Sequence, residues 1–293
     1  MPDLNTSPGP LPSLAPELQP NPELTPRRIP NLGHALIFLS FTFLLLLLTQ
    51  GILLSLGKVT VDPHKSALTV QHPKLQLAAM AVTYLISLLA ASFFFSEIWR
   101  RPFLEGIRWN APDALTQASK LVPAGLLLGM MSAVASYLIH TSKPPAIDEF
   151  FLTPSDAWLI TLFGTIVAPV FEEICFRGFL LPAFAIAYDW LSLPRTPEAA
   201  FRWQTTTTLS PAALLFSAIL SSALFVLIHA QQLGYALPGM LVLFAVSLVL
   251  TFVRVRTQSV AASTLVHASY NFFIFLITFL ATSGYRHLDR INQ

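Results

Sequence analysis

Apolar residues in this chain come in long unbroken blocks, not in the alternation of a surface strand or the one-sided stripe of a soluble helix. The first block, from Leu32 to Leu56, contains five consecutive leucines and no charge. At about 1.5 Å per residue it is long enough to cross a hydrocarbon core of ~30 Å. Further blocks run from about Leu75 to Phe95, Leu121 to Ile139, Ala157 to Phe171, Leu209 to Ile228, Leu237 to Val253 and Val260 to Ala281. They predict seven membrane-spanning helices. The stretch GFLLPAFAIAYDWL, Gly178 to Leu191, reads as an eighth, shorter span, as a continuation of the helix before it, or as a re-entrant piece broken at Pro182.

Composition turns this pattern into a fold class. Of 293 residues, 54% are hydrophobic and 11% charged, against roughly 25% charged in an ordinary soluble domain. So much apolar surface cannot be hidden from water in a soluble fold of this size, and the partner the chain requires is a lipid bilayer. The expected fold is an all-α, polytopic transmembrane helix bundle. Basic and acidic residues nearly balance, at a formal net charge of +2, which gives no footprint for nucleic acid. The single cysteine, Cys175, excludes an intrachain disulfide.

Charge and proline divide the chain further. Residues 1–30 carry nine of the 23 prolines and read as a disordered, proline-rich tail. Residues 31–145 hold the first transmembrane helices, residues 146–283 hold the polar residues discussed below, and residues 284–293 form a short polar tail. The first span, behind a proline-rich leader, reads as an uncleaved anchor. Arg27, Arg28, Arg100, Arg101, Arg108 and Lys120 mark a cytoplasmic side by the positive-inside rule. Arg254 and Arg256 favour seven spans on the same rule, but bringing Glu172 and His229 to one depth requires an even number of crossings, so the expected count is eight helices, with seven as the alternative.

Ionisable groups inside such blocks are the informative exceptions, because a charged residue at a helix centre costs about 2.5–3.5 kcal/mol on insertion scales. They are Glu172, Glu173 and Arg177 in APVFEEICFRGF, His229 in FVLIHAQQ, and His267 with Asn271 in LVHASYNFF. Glu173 and Arg177 are four apart and can pair on one face. Glu172 is turned about 100° from Glu173 and points elsewhere. His267 and Asn271 share a face, and Phe225 precedes His229 by one turn. Each group alone has a structural reading: an ion pair joining helices, an interfacial histidine, or interhelical polar contacts. Asp189 reads as a helix-end residue.

The order Glu-Glu-x-x-x-Arg at 172–177, Phe-x-x-x-His at 225–229 and His-x-x-x-Asn at 267–271 resembles the three motifs of the CPBP intramembrane protease family. That family includes type 2 CAAX prenyl proteases and bacterial relatives linked to bacteriocin processing and self-immunity. The resemblance covers about Ala157 to Leu280 and makes residues 146–283 a CPBP-like protease domain. It implies an intramembrane endopeptidase acting on a prenylated or hydrophobic membrane-associated protein or peptide. By resemblance, Glu172 is the general base, His229 helps hold the water, and His267 and Asn271 donate to the oxyanion. Glu173 and Arg177 support Glu172, and Phe225 walls the pocket.

No cofactor is required by this scheme, although Glu172, His229 and His267 could also ligate Zn²⁺. The chain lacks the HExxH arrangement of many zinc proteases. A different class of function, a non-catalytic proton-coupled transporter or scaffold, would use the same acids and histidines as a relay. The expected location is an integral, multi-pass position in a prokaryotic plasma membrane.

Overall fold

The computed structural model describes residues 28–56, 73–139 and 151–292. The proline-rich segment expected at 1–30 therefore lies outside the described residues up to position 27. Among the described residues every regular element is helical. They comprise α1 (Leu32–Leu56), α2 (Pro73–Trp99), two short helices α3 (Phe103–Gly106) and α4 (Ala111–Thr116), and α5 (Ala118–Ile139). There follow a long α6 (Pro154–Leu191), α7 (Pro197–Thr205), α8 (Pro211–His229), α9 (Leu237–Thr257) and α10 (Val260–Ala281). Seven of these, α1, α2, α5, α6, α8, α9 and α10, are long and apolar enough to cross a membrane.

The expected eighth span at residues 178–190 is not a separate helix. It continues the fourth, giving one helix of 38 residues, about 57 Å at 1.5 Å per residue. The reason lies in two π-helical turns, Phe163–Val167 and Ile174–Leu180. Pro169 and Pro182 each fall in the first turn of the α-helical stretch that follows. A proline there removes a hydrogen bond that the wider turn has already given up, so it does not break the helix.

The described residues fall into two units. The smaller holds residues 193–208 with Arg28. In it Thr196 caps α7, accepting from the Ala199 amide at 3.2 Å. Arg28 lies 3.6 Å over the Trp203 ring and donates to the Trp203 carbonyl at 2.6 Å.

The larger unit, residues 29–192 and 209–292, inverts the side-chain logic of a soluble protein. Large apolar side chains such as Phe43, Leu44, Leu89, Phe93 and Leu215 are exposed, while Thr83, Ser87, Ser217, Ser222, Ser247 and Ser263 are wholly buried. Between helices in lipid, small residues allow close approach and hydroxyls join neighbours. Thr49 Oγ1 and Thr83 Oγ1, 2.6 Å apart, join α1 to α2. In α5, Gly125 and Gly129 lie so close to α10 that an added Cβ would stand 2.4 Å from the Val266 carbonyl or 2.9 Å from Phe273 Cβ.

The turn after α6 sets the register of the site. Asp189, expected at a helix end, accepts from the Ser210 amide at 2.9 Å and the Ser210 hydroxyl at 2.6 Å. Ser210 in turn caps α8. Glu172 stands 17 residues before Asp189 and His229 stands 19 after Ser210. The two helical stretches that lead from this pinned pair to Glu172 and His229 are nearly equal in length and bring the two residues level. The equal depth that seemed to need an extra crossing is met by placing Glu172 at mid-helix.

Candidate active site

Four helices meet at this level. The α-helical turn Ala168–Glu173 of α6, between its two π-helical segments, presents Glu172 and Glu173. The end of α8 presents Phe225 and His229, α9 presents Ser247, and α10 presents His267.

Glu173 is fully buried and held from two sides. Arg177 Nη1 donates to its Oε1 at 2.9 Å, and His267 Nδ1 donates to the same oxygen at 3.0 Å. Arg177 is itself 1% exposed, and its Nη2 donates to the carbonyl and hydroxyl of Ser247, each at 2.8 Å. The guanidinium also lies 5.0 Å from the Phe225 ring. Ion pair and hydrogen bonds thus tie α6 to α9 and α10, as a buried carboxylate requires.

Glu172 occupies the more open position. His229 Nε2 stands 3.8 Å from its Oε1, and His267 Nε2 stands 3.8 Å from its Oε2. Its side chain retains 15% exposure, close to the 16% of His229 and unlike the closed Glu173. The offset of about 100° between adjacent glutamates thus leaves Glu173 closed by Arg177 and Glu172 partly exposed. The histidine tautomers follow from their other partners: His229 Nδ1 donates to the Phe225 carbonyl at 2.7 Å, and His267 Nδ1 to Glu173. In the neutral rings both Nε2 atoms then carry lone pairs toward Glu172.

Aromatic rings enclose these polar groups. Phe225 lies 4.5 Å from the His229 ring and 5.9 Å from that of His267, and Phe176 packs edge-on against Phe225 at 5.0 Å. On the other side Tyr84 of α2 stacks on Phe171 at 3.8 Å. Tyr84 carries no motif, and nothing in the α2 sequence distinguishes it from a lipid-facing ring. Ser247 is equally silent in sequence, a small residue in an apolar span.

Asn271 is tied to the α6 backbone. Its Nδ2 donates to the Gly164 carbonyl at 2.6 Å. Gly164 belongs to the first π-helical turn, where the i→i−4 ladder is interrupted. The amide thus satisfies the α6 backbone through one of its two N–H groups. Gly164 is needed there, since an added Cβ would stand 2.7 Å from the Phe275 ring.

The donor set of Glu172, His229 and His267 has the chemistry of a zinc site but not its spacing. Zinc bonds of about 2.0–2.1 Å place tetrahedral ligand atoms about 3.3–3.4 Å apart, against the 3.8 Å found on both sides of Glu172. Among the described residues no group of three His, Cys, Asp or Glu side chains is placed to hold a metal ion. As arranged, these residues do not fit the ion.

Residues 154–273 match the family model described as type II CAAX prenyl endopeptidase Rce1-like. The match begins at the first residue of α6 and ends two residues beyond Asn271, so it contains all three motifs. No curated protein and no solved structure matches the chain.

Proposed function

The chain carries a CPBP-family intramembrane protease domain of the Rce1-like kind at residues 154–273, and on that premise we propose that it hydrolyses a peptide bond of a prenylated or otherwise hydrophobic membrane-associated substrate. The observation that carries the reading is the convergence on Glu172 of acceptors without a donor. Two carboxylate oxygens face two imidazole lone pairs across gaps of 3.8 Å. Such gaps are too long for direct hydrogen bonds and are of the length that a water bridges. A water there has both protons engaged and a lone pair free.

In this scheme Glu172 takes a proton from the water as the oxygen attacks the scissile carbonyl carbon. His229, fixed by the Phe225 carbonyl, orients the water. The resulting oxyanion draws on the second N–H of Asn271, the first being committed to Gly164, while His267, with its Nε2 lone pair toward Glu172, helps to hold the water. Glu172 then passes its proton to the departing amine, and the C–N bond breaks to give a carboxylic acid and a free amine. Glu173 and Arg177 do not touch the substrate; they hold His267 and the helix that carries Glu172.

The test is cleavage of a farnesylated reporter peptide by the full chain in proteoliposomes, followed by mass spectrometry. Glu172→Gln and His229→Ala should abolish the product while both proteins remain folded. Cleavage that survives both substitutions overturns the reading. Proton flux across the vesicles that is lost with either variant, in the absence of any cleavage, would support the transporter instead.

A further inference from the structure

One buried charge takes no part in this site. Arg254, in the last turn of α9, is 6% exposed and its Nε is completely buried without a partner. Among the described residues its guanidinium forms no hydrogen bond and no ion pair. The charges whose fields reach it are Arg108, of like sign, and Glu173, already held by Arg177 and His267. A buried guanidinium in this position calls for an anion.

The surroundings are built and rigid. The turn between α3 and α4 is clamped to the turn between α9 and α10 by a set of hydrogen bonds. The Val260 amide donates to the Arg108 carbonyl and the Ala261 amide to that of Trp109, both at 2.9 Å. Asn110 Nδ2 donates to the Gln258 carbonyl at 2.9 Å, and Ser259 Oγ to the Trp109 carbonyl at 2.9 Å. Arg108 Nη1 also donates to Gln258 Oε1. Arg108, Asn110 and Gln258 all have positive φ, at 58°, 41° and 52°. Three non-glycine residues held in the left-handed region at one junction mark backbone strain of the kind that surrounding structure must impose. That junction fixes Arg108 beside Arg254.

The same face of α9 leads from this junction to the glutamates. Ser247, Thr251 and Arg254 are spaced four and then three residues apart, all buried, and Ser247 binds Arg177. Thr251 Oγ1, between them, is buried with no partner. Helical side chains lean toward the amino terminus, so the Arg254 head group lies about one to two turns, roughly 5–10 Å, from the Ser247 level. An extended peptide covers that distance in a few residues.

We propose that Arg254, with Arg108 beside it, binds the free C-terminal carboxylate of the peptide substrate and so sets how near the carboxyl end the chain cuts. This rests on the protease reading above. A planar carboxylate matches the guanidinium fork and can enter a position 94% buried, whereas a phosphodiester carries a substituent on either side of its charge.

The experiment is equilibrium binding of a fluorescent farnesylated-cysteine peptide to the full chain in nanodiscs, with the peptide supplied as free acid and as C-terminal amide. The expected result is about tenfold tighter binding of the acid, abolished by Arg254→Gln and partly kept by Arg254→Lys, with unchanged thermal unfolding of the lysine variant. Equal binding of acid and amide, or a preference that survives Arg254→Gln, overturns the proposal. So does a variant whose only change is lost stabilisation by phosphatidylglycerol over phosphatidylcholine nanodiscs, which would assign the site to a lipid phosphate. Acid preference without any cleavage would leave this anchor standing and sink the protease reading; cleavage without preference would do the reverse.

Discussion

His267 touches both glutamates with one ring: Nδ1 lies 3.0 Å from Glu173 Oε1 and Nε2 lies 3.8 Å from Glu172 Oε2. The buried carboxylate fixes the ring, and the fixed ring faces the open carboxylate. A change on the buried side should therefore be felt at the reacting side.

Removing that ring should damage fold and activity together. His267→Ala takes one of two donors from a carboxylate that has no access to water, and should lower the unfolding temperature in detergent as well as cut turnover by at least about 100-fold. His229→Ala should cut turnover comparably with little loss of stability. Its Nδ1 bond is to the backbone of its own helix, and its side chain is partly exposed. Thermal unfolding and peptide cleavage on the same preparations separate the two, and equal destabilisation by both substitutions would contradict the assignment.

Arg177 should be less replaceable than a surface arginine. Arg177→Ala leaves the Glu173 charge buried with a single donor and is expected to cost about 3–5 kcal/mol. Arg177→Lys should recover little, because one ammonium cannot reach Glu173 and Ser247 with the fork geometry seen for Nη1 and Nη2. The pair Glu173→Gln with Arg177→Met should be more stable than Arg177→Ala alone, since it removes the charge as well as its partner. Equilibrium unfolding in mixed micelles measures all three.

The bundle was legible in the sequence because lipid demands long apolar blocks, and the polar cluster was legible because each of its members is expensive in such a block. The single 38-residue helix was one of three readings of residues 178–191 and not the preferred one, because Pro182 reads as a break unless a π-helical turn precedes it, and no residue type announces that turn. Ser247 and Tyr84 stayed hidden because a serine or tyrosine in an apolar span is ordinary. Arg254 entered only as an orientation signal, since its burial depends on the strained junction of Arg108 and Asn110 with Gln258, which lies about 150 residues further along the chain. Gly125 and Gly129 have the G-x-x-x-G spacing of close-packed membrane helices, a signal present in the sequence but not among the expectations drawn from it.

That spacing makes α5 a second support for the site. Gly125→Ala places a methyl about 2.4 Å from the Val266 carbonyl, an atom of the α10 backbone that cannot swing aside. Separation of the helices by a few tenths of an ångström would displace His267 and Asn271, which α10 carries. A loss of about 1–3 kcal/mol is expected, with turnover falling further than peptide affinity. Gly51→Ala, where nothing lies within 4 Å, is the matched control in α1. It should leave both measurements unchanged.

Asn271 offers a test of how the π-helical turn serves the site. Asn271→Leu leaves the Gly164 carbonyl without its donor and should relax the turn that precedes Pro169 and the two glutamates. Asn271→Gln keeps an amide but moves it by one methylene. If the bond to Gly164 is what counts, both variants should lose turnover and stability in parallel. If the second N–H serves the oxyanion, Asn271→Gln should retain stability while turnover falls by about 10²–10³-fold, the loss typical of a removed oxyanion donor.

Metal removal addresses the 3.8 Å spacing directly. With His229 and His267 each standing farther from Glu172 than ligands of one zinc ion would, dialysis of the purified full chain against a chelator should leave peptide cleavage intact, and elemental analysis before dialysis should find well under one equivalent of zinc. His267 Nδ1 and His229 Nδ1 are both engaged as donors, an arrangement that suits a metal ligand as well as a water-holding base, so tautomer alone does not decide the matter. Distance does. Stoichiometric zinc whose loss abolishes cleavage and whose return restores it would require the two histidine helices to close on Glu172 by about half an ångström, and would replace the water-bridged scheme with a metal-held one.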